Sequence, residues 1–320
     1  MKKLQLQCAV DVNFAKTRFP LMGFRKVDGV RAGHITGGLT GRSLDPFNNS
    51  AVVAKFADPV YQGFDGEITL RGYLKDNDVP VELAPDGETL CGLTTGIMNR
   101  SKLRKGEIEL PSNVVWNLFD YLDDSIVGEM YHDRYVALQG HLNRNQPTNV
   151  HLLPFKWIED AKQAQDWIDE CLFLQFEGAI FRCPTAMHKS GRATETLNDF
   201  WRYKPTSDKD AIVLSVEEAQ ANNNEAKTNS RGRTERSSHK ENKVGNGMIG
   251  PMICRDCISG ETIRVGPGAM PHEFRIRAFK DQTLIVGHPI KYTSLDTGVK
   301  DAPRQARFKC LRPHADLAIA

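Results

Sequence analysis

Lys26-Val27-Asp28-Gly29-Val30-Arg31 is the stretch that decides how this chain reads. It sets a lysine just ahead of an Asp-Gly pair, a dipeptide that favours a tight turn, and places an arginine close behind. A lysine amine held there is a candidate nucleophile, and the arginine is a cation in position to receive phosphate. The plain alternative is a surface lysine beside a turn, and so short a pattern does not choose between them. A free lysine has a pKa of roughly 10.4, so attack near neutral pH needs a depression of about 3 units, a differential of about 4 kcal/mol. Burial, a nearby arginine or a divalent cation would supply it.

Around this stretch, residues 1–206 read as mixed α/β. Ala51-Val52-Val53-Ala54, Glu67-Ile68-Thr69-Leu70 and Val114-Val115-Trp116 are strand-like runs. A helix is expected from about Glu159 to Phe173, where Trp157, Ala161, Ala164, Trp167, Ile168 and Cys171 recur at helical spacing. The apolar run from Phe176 to Arg182 then reads as a buried strand. After Lys204-Pro205 the composition changes. Ala211–Val216 is a strand candidate, and the rest is short β-like segments divided by Gly and Pro, which suggests a small sheet or barrel. The expected domains are therefore 1–206 and 207–320, joined by a short linker near Pro205 to Asp210.

Within the second domain, residues 222–243 are polar and carry Lys227, Arg231, Arg233, Arg236, Lys240 and Lys243. Alone, such a segment buries too little apolar surface to fold. It reads either as a solvated loop or as a basic arm that orders on a phosphate backbone and releases counterions. The chain as a whole does not advertise a partner: 320 residues, 40% hydrophobic and 26% charged, carry a formal net charge of only +2. Any nucleic-acid binding must come from where the charges sit. Seven scattered cysteines form no even disulfide framework, which favours a reducing, cytoplasmic compartment. Cys254 and Cys257 are the one close pair; without a second pair of ligands they read as half-buried strand cysteines rather than a zinc site. The basic start Met1-Lys2-Lys3 is followed by no long apolar run, so neither a signal peptide nor a membrane span is expected.

Further blocks follow the lysine in order: Gly41-Arg42-Ser43-Leu44, Phe64-Asp65-Gly66-Glu67-Ile68, Phe119-Asp120-Tyr121, Phe176-Glu177-Gly178-Ala179-Ile180 and Arg202-Tyr203-Lys204. Each is weak alone. Together, in this order, they resemble the covalent nucleotidyltransferases: DNA ligases, RNA ligases and capping guanylyltransferases. The segment Gly245–Ile253, the run Ile263–Gly266 and the close Lys291–Arg312, with Arg304-x-x-x-Phe308-x-x-x-Arg312, resemble the OB-fold of ATP-dependent DNA ligases. The likeness is nearest to the minimal chlorella virus and phage type.

That resemblance implies an α/β (α+β) nucleotidyltransferase domain followed by an all-β OB-fold domain with a basic, latch-like insert at about 222–243. It implies a nick-sealing enzyme that uses ATP with Mg²⁺ or Mn²⁺ and acts on nicked duplex DNA as a monomer, and a phage or virus origin. Lys26 would attack the α-phosphate. Arg31, Arg202 and Lys204 would neutralise phosphates, Glu67 would contact ribose, Phe119 would stack on adenine, and Glu177, with Glu67, would hold the metal. Arg31, Arg42 and Arg192 would grip phosphates at the nick, joined by Arg231, Arg233, Arg236 and Lys240 of the insert. Arg304 and Arg312 would orient pyrophosphate, and the second domain would swing between steps.

The chain departs from the pattern at three places. Phe24 stands where the family often has Glu, Arg202 replaces the first Lys of K-x-K, and Ala306 replaces a Pro. A capping enzyme would take GTP instead. An RNA ligase would lack the OB ending, and a non-catalytic OB-type binder would have no use for Lys26, Glu67 and Glu177 together.

Overall fold

A computed structural model describes residues 4–70, 90–197, 199–295 and 303–313. The first three residues of the basic N-terminus, and positions 296–302 of the run read from Lys291 to Arg312, lie outside the described residues. The fold is mixed α/β, mostly sheet with few helices. The chain packs as two compact units, Met1–Lys204 with Ser230–Gly232, and Pro205–Asn229 with Arg233–Ala320.

The first unit is built on two sheets. One has five strands in the order Val10–Asp11, Phe200–Tyr203, Gly178–Arg182, Leu21–Lys26, Phe155–Ile158. The other runs Val30–Gly33, Phe64–Leu70, Val114–Tyr121, Val150–Leu152. The Asp-Gly turn after Lys26 therefore does not close a hairpin. It carries the chain from one sheet to the other, because Leu21–Lys26 and Val30–Gly33 pair with different neighbours. Glycine is required there: a Cβ on Gly29 would run into the Ile68 carbonyl oxygen.

Each sheet has its own core. Leu21, Met22, Phe24, Phe181 and Trp201 pack with Ala164, Trp167, Ile168 and Cys171 of the helix Ala161–Phe173. That helix starts two residues later than the expected Glu159, because Asp160 caps it by accepting from the Gln163 amide at 2.8 Å. The second core gathers Phe56, Tyr61, Phe64, Trp116 and Leu138, its aromatic rings meeting edge to face. Ala51–Ala54, expected as a strand, is instead part of the helix Ser50–Lys55. The Asn49 side chain accepts from the amides of Ala51 and Val52, and that cap outweighs the β-preference of two valines.

The second unit is a five-stranded antiparallel sheet in the order Thr262–Val265, Lys243–Asp256, Thr206–Asn222, Pro289–Leu295, Arg304–Leu311. Gly266 then bridges Arg307, tying the first strand of that order to the last. Val213, Ile249, Met252, Val265, Tyr292 and Phe308 fill the interior, and the helix His272–Lys280 packs on it through Ala278. The stretch expected as a linker is strand from Thr206 onward, paired with Pro289–Leu295. Cys254 lies in a strand as expected but is fully buried, and Cys257, half-buried as expected, lies in the turn beyond the strand's end. No helix among the described residues is long and apolar enough to cross a membrane.

The polar segment 222–243 is more than a loop. Ala226–Thr228 and Thr234–Arg236 pair as a short antiparallel hairpin, exposed throughout. The base of the hairpin is fixed by Asn224, only 5% exposed, whose amide donates to the carbonyls of Ser237 (2.9 Å) and His239 (2.8 Å). The Asn222 amide also donates to the Ser237 carbonyl (2.8 Å), and Asn229 accepts from the Arg233 amide (3.0 Å), so polar side chains order a segment that has no apolar core of its own.

Candidate active site

Lys26 ends its strand beside Gly178, and the Glu177 amide donates to the Lys26 carbonyl at 3.1 Å. That backbone bond brings the Glu177 carboxylate to the lysine ammonium, and the two are ion-paired through Oε2. The other carboxylate oxygen, Oε1, takes the Lys204 ammonium. Glu177 is 7% exposed, so one buried carboxylate sits between two lysines. Burial raises its pKa, but Lys26 and Lys204 outweigh that and hold it below the usual carboxylate range.

The same pairing sets the lysine's state. Burial pulls the Lys26 pKa down, yet Glu177, Glu67 and Asp28 more than offset it and leave it above the ordinary lysine value. The expectation of a depressed pKa is therefore reversed in the ligand-free protein. Three carboxylates stabilise the ammonium, and their summed attraction exceeds the cost of taking it out of water.

Across the cavity, Arg31 and Glu67 are directly opposed on adjacent strands, so their side chains share a face. Asp65, 1% exposed, grips the Arg31 guanidinium at both ends, with Nε at 2.6 Å and Nη2 at 2.7 Å. The fork lies over the Phe119 ring, 4.4 Å from its centroid. Phe119 is held in turn by Tyr131, whose hydroxyl donates to the Phe119 carbonyl at 2.6 Å. Burial raises the Glu67 pKa against the opposing pull of Lys26 and Arg31.

Lys26, Arg31, Glu67 and Phe119 line one cavity between the two sheets of the first unit. Phe24, Lys26, Ile180, Arg182 and Phe200 face it from one sheet, Arg31, Glu67 and Phe119 from the other, with Tyr131 and Leu153 completing its apolar wall. The far end is a buried network that the motifs do not reveal. Asp120 accepts from Arg134 (2.8 and 3.0 Å) and from Arg182 (2.8 Å), and all three are at most 2% exposed. Asp120 belongs to a recognisable block, but its two arginines lie 14 and 62 positions further on, and nothing in the sequence pairs them with it. Burial raises the Asp120 pKa, but Arg134 and Arg182 outweigh it and hold the carboxyl below the usual range.

The remaining candidates fall elsewhere. Arg202 does not line the cavity; it stands two residues beyond Phe200, on the same face of the strand, and pairs with Asp11 at 2.7 Å. Arg42 lies on a turn, and Arg192 is exposed on the short strand Gly191–Arg192. Arg231 is half-buried, while Arg233, Arg236 and Lys240 are exposed in and beside the hairpin. In the second unit, Arg304 opens the last strand and Arg312 follows its end, the latter paired with Asp210 at 3.2 Å. Ala306 is buried there, and its carbonyl accepts from the Gly266 amide at 2.9 Å.

No family model matches the chain, and no curated protein matches it. Solved structures do, and they place it among proteins with the DNA ligase fold. One comes from a structure–function study of Lig E DNA ligases built on a minimal scaffold: 17% identity over 98% of this chain and 100% of that one, with a TM-score of 0.63. Another, Pmar-Lig_Pre, is 16% identical over 97% of this chain and 67% of that one, with a TM-score of 0.67. Chlorella virus DNA ligase-adenylate is 19% identical over 97% and 99%, with a TM-score of 0.49. At such identities the likeness is one of fold.

Proposed function

We propose that this protein is an ATP-dependent DNA ligase that seals 5′-phosphate/3′-hydroxyl nicks through a covalent lysyl-AMP. The observation that carries the reading is the convergence of Lys26, Glu67, Arg31 and an aromatic wall around one cavity, with Glu177 ion-paired to Lys26 and Lys204 behind it, on a fold shared with a Lig E DNA ligase structure. On this reading the first unit is the nucleotidyltransferase domain, about 1–206. The five-stranded unit is an OB-fold domain, about 207–320, with the hairpin as a DNA-contacting insert.

The Lys26 amine attacks the α-phosphorus of ATP; a P–N bond forms, and the bond to the pyrophosphate oxygen breaks. Lys26 must first lose a proton and its hold on Glu177, since an ion-paired ammonium has no free electron pair. Lys204, released from the same carboxylate, becomes a cation for the phosphates. Arg31, fixed by Asp65, offers its guanidinium from the opposite sheet, and phosphoryl transfer is governed mainly by such charge neutralisation. Phe119 and Ile180 provide apolar faces for the purine, and Glu67 is placed for the ribose. A 5′-phosphate oxygen at a nick then attacks the adenylyl phosphorus and releases Lys26. Finally the 3′-hydroxyl attacks that 5′-phosphate and expels AMP.

Glu67 and Glu177 influence each other and both lie near Lys26, giving an oxygen-only donor pair. Two carboxylates suit Mg²⁺ or Mn²⁺, which would complete their shells with water and substrate phosphate. Such an ion supplies neutralisation of phosphate charge. Contacts to nicked duplex DNA are assigned to Arg42, Arg192, Arg231, Arg233, Arg236 and Lys240, and pyrophosphate orientation to Arg304 and Arg312. We assign the protein a monomeric state and an intracellular, phage- or virus-encoded setting.

The test is incubation with α-labelled ATP or GTP and Mg²⁺, beside Lys26→Ala, followed by a nicked duplex. Covalent label from ATP on the wild type alone, with sealing, supports the reading. Label from GTP alone makes the protein a capping enzyme; no label in protein shown to be free of bound AMP removes the catalytic reading.

A further inference from the structure

Arg182 is the one strongly polar group at the apolar end of the cavity, and its geometry is unusual for a buried arginine. It is 2% exposed, and its guanidinium lies between two rings, 4.0 Å from the Tyr131 centroid and 4.1 Å from that of Phe200. Both faces are thus covered, and only the in-plane N–H groups can reach a partner. Nη2 donates to Asp120 at 2.8 Å and Nη1 to Gln7 Oε1 at 3.3 Å. Nε, buried, has no hydrogen-bond partner among the described residues. A donor locked in orientation and left unsatisfied is a preorganised site for an acceptor brought by a ligand.

The ligand is defined by its surroundings. Phe24, Phe119, Tyr131, Leu153 and Ile180 form an apolar slot suited to a flat ring. Phe24 also leaves no carboxylate at its position to accept from an exocyclic amine. The geometry points to Arg182 as a base-reading residue whose Nε–H donates to a ring-nitrogen acceptor of the bound purine. This rests on the adenylyl-transfer reading above. A lone pair is demanded at that ring position, so a base carrying N–H there is rejected, because neither donor is then satisfied.

The test is a wild-type comparison of self-labelling by ATP and by its 1-deaza, 3-deaza and 7-deaza analogues, each lacking one ring-nitrogen acceptor. Labelling efficiency at limiting nucleotide should fall tenfold or more for one analogue and stay near that of ATP for the other two. Arg182→Lys, which keeps a cation for Asp120 but loses Nε, should erase the difference. A crystal structure of the adenylated wild type decides the matter even where that variant does not fold: Nε is expected within hydrogen-bond distance of a ring nitrogen. Equal labelling by all three analogues, an Arg182→Lys protein that still discriminates, or Nε remote from the base overturns the proposal while adenylation stands. Absence of label from ATP itself instead sinks the underlying reading, and this proposal with it.

Discussion

Glu177, itself buried, holds the partly buried Lys26 ammonium in an ion pair, and with Glu67 and Asp28 favours the protonated form of the proposed nucleophile. The arrangement places two cations on one carboxylate.

Removing that carboxylate should therefore change the lysine without any nucleotide present. In Glu177→Gln burial still lowers the Lys26 pKa, while the largest influence raising it is gone. The pH at which a small acylating reagent modifies Lys26, followed by peptide mass spectrometry, should move to lower pH than in the wild type. An unmoved profile would mean that Glu177 does not govern the proton.

Asp120 offers a stability test. Against the effect of burial, Arg134 and Arg182 depress its folded-state pKa, so its contribution is present above the unfolded value of roughly 3.9 and is lost as pH falls through the folded one. Asp120→Asn leaves two buried arginines without their anion and should cost about 3–5 kcal/mol near pH 6. The gap in urea stability between wild type and variant should shrink as pH falls below about 4. Glu67 has a raised pKa and acts in the opposite sense, but both proteins carry it under the same influences, so it drops out of the difference; Asp65 is raised partly by Asp120 and titrates lower in the variant, which shifts the difference in the same pH range.

Gly178 follows Glu177 at the start of its strand with φ of +149°, and a Cβ there would meet the Tyr203 carbonyl. Gly178→Ala should destabilise the first unit by about 1–3 kcal/mol from backbone strain alone. The same change should lower self-labelling at least tenfold, because the Glu177 amide would lose its register with Lys26. Normal labelling would show that the close approach is dispensable.

The hairpin should reveal itself in salt. Arg233 and Lys240 are exposed, and if each meets a phosphate, replacing both with Ala makes the slope of log K against log salt shallower by about 0.9 for each phosphate no longer neutralised. Binding of a nicked duplex, measured by anisotropy from low to moderate salt, gives that slope. Self-labelling by ATP should be unchanged. Equal slopes would remove the hairpin from the interface.

Some features are legible along the chain and others are not, and particular residues show why. The strand Gly178–Arg182 and the helix Ala161–Phe173 announce themselves through apolar runs and spacing, which are local properties. Ala51–Ala54 misleads, because one neighbouring asparagine cap reverses the preference of its valines. The hairpin at Ala226–Arg236 is hidden, because its order comes from polar bonds at Asn222, Asn224 and Asn229 rather than from hydrophobic pattern.

The residue types of the site come from sequence alone: a lysine before an Asp-Gly turn, acidic blocks after it, and a basic segment in the second unit. These are short-range patterns, and chemistry constrains them within a few positions. Tertiary structure alone decided the rest. It joined Lys26 and Lys204 through Glu177, clamped Arg31 with Asp65 above Phe119, and buried Arg182 between two rings with one donor left over. It also reversed the expected direction of the Lys26 pKa. Those outcomes depend on which strands pair and on which charges are taken out of water together, and the order of residues along one strand carries no record of its neighbour across the sheet.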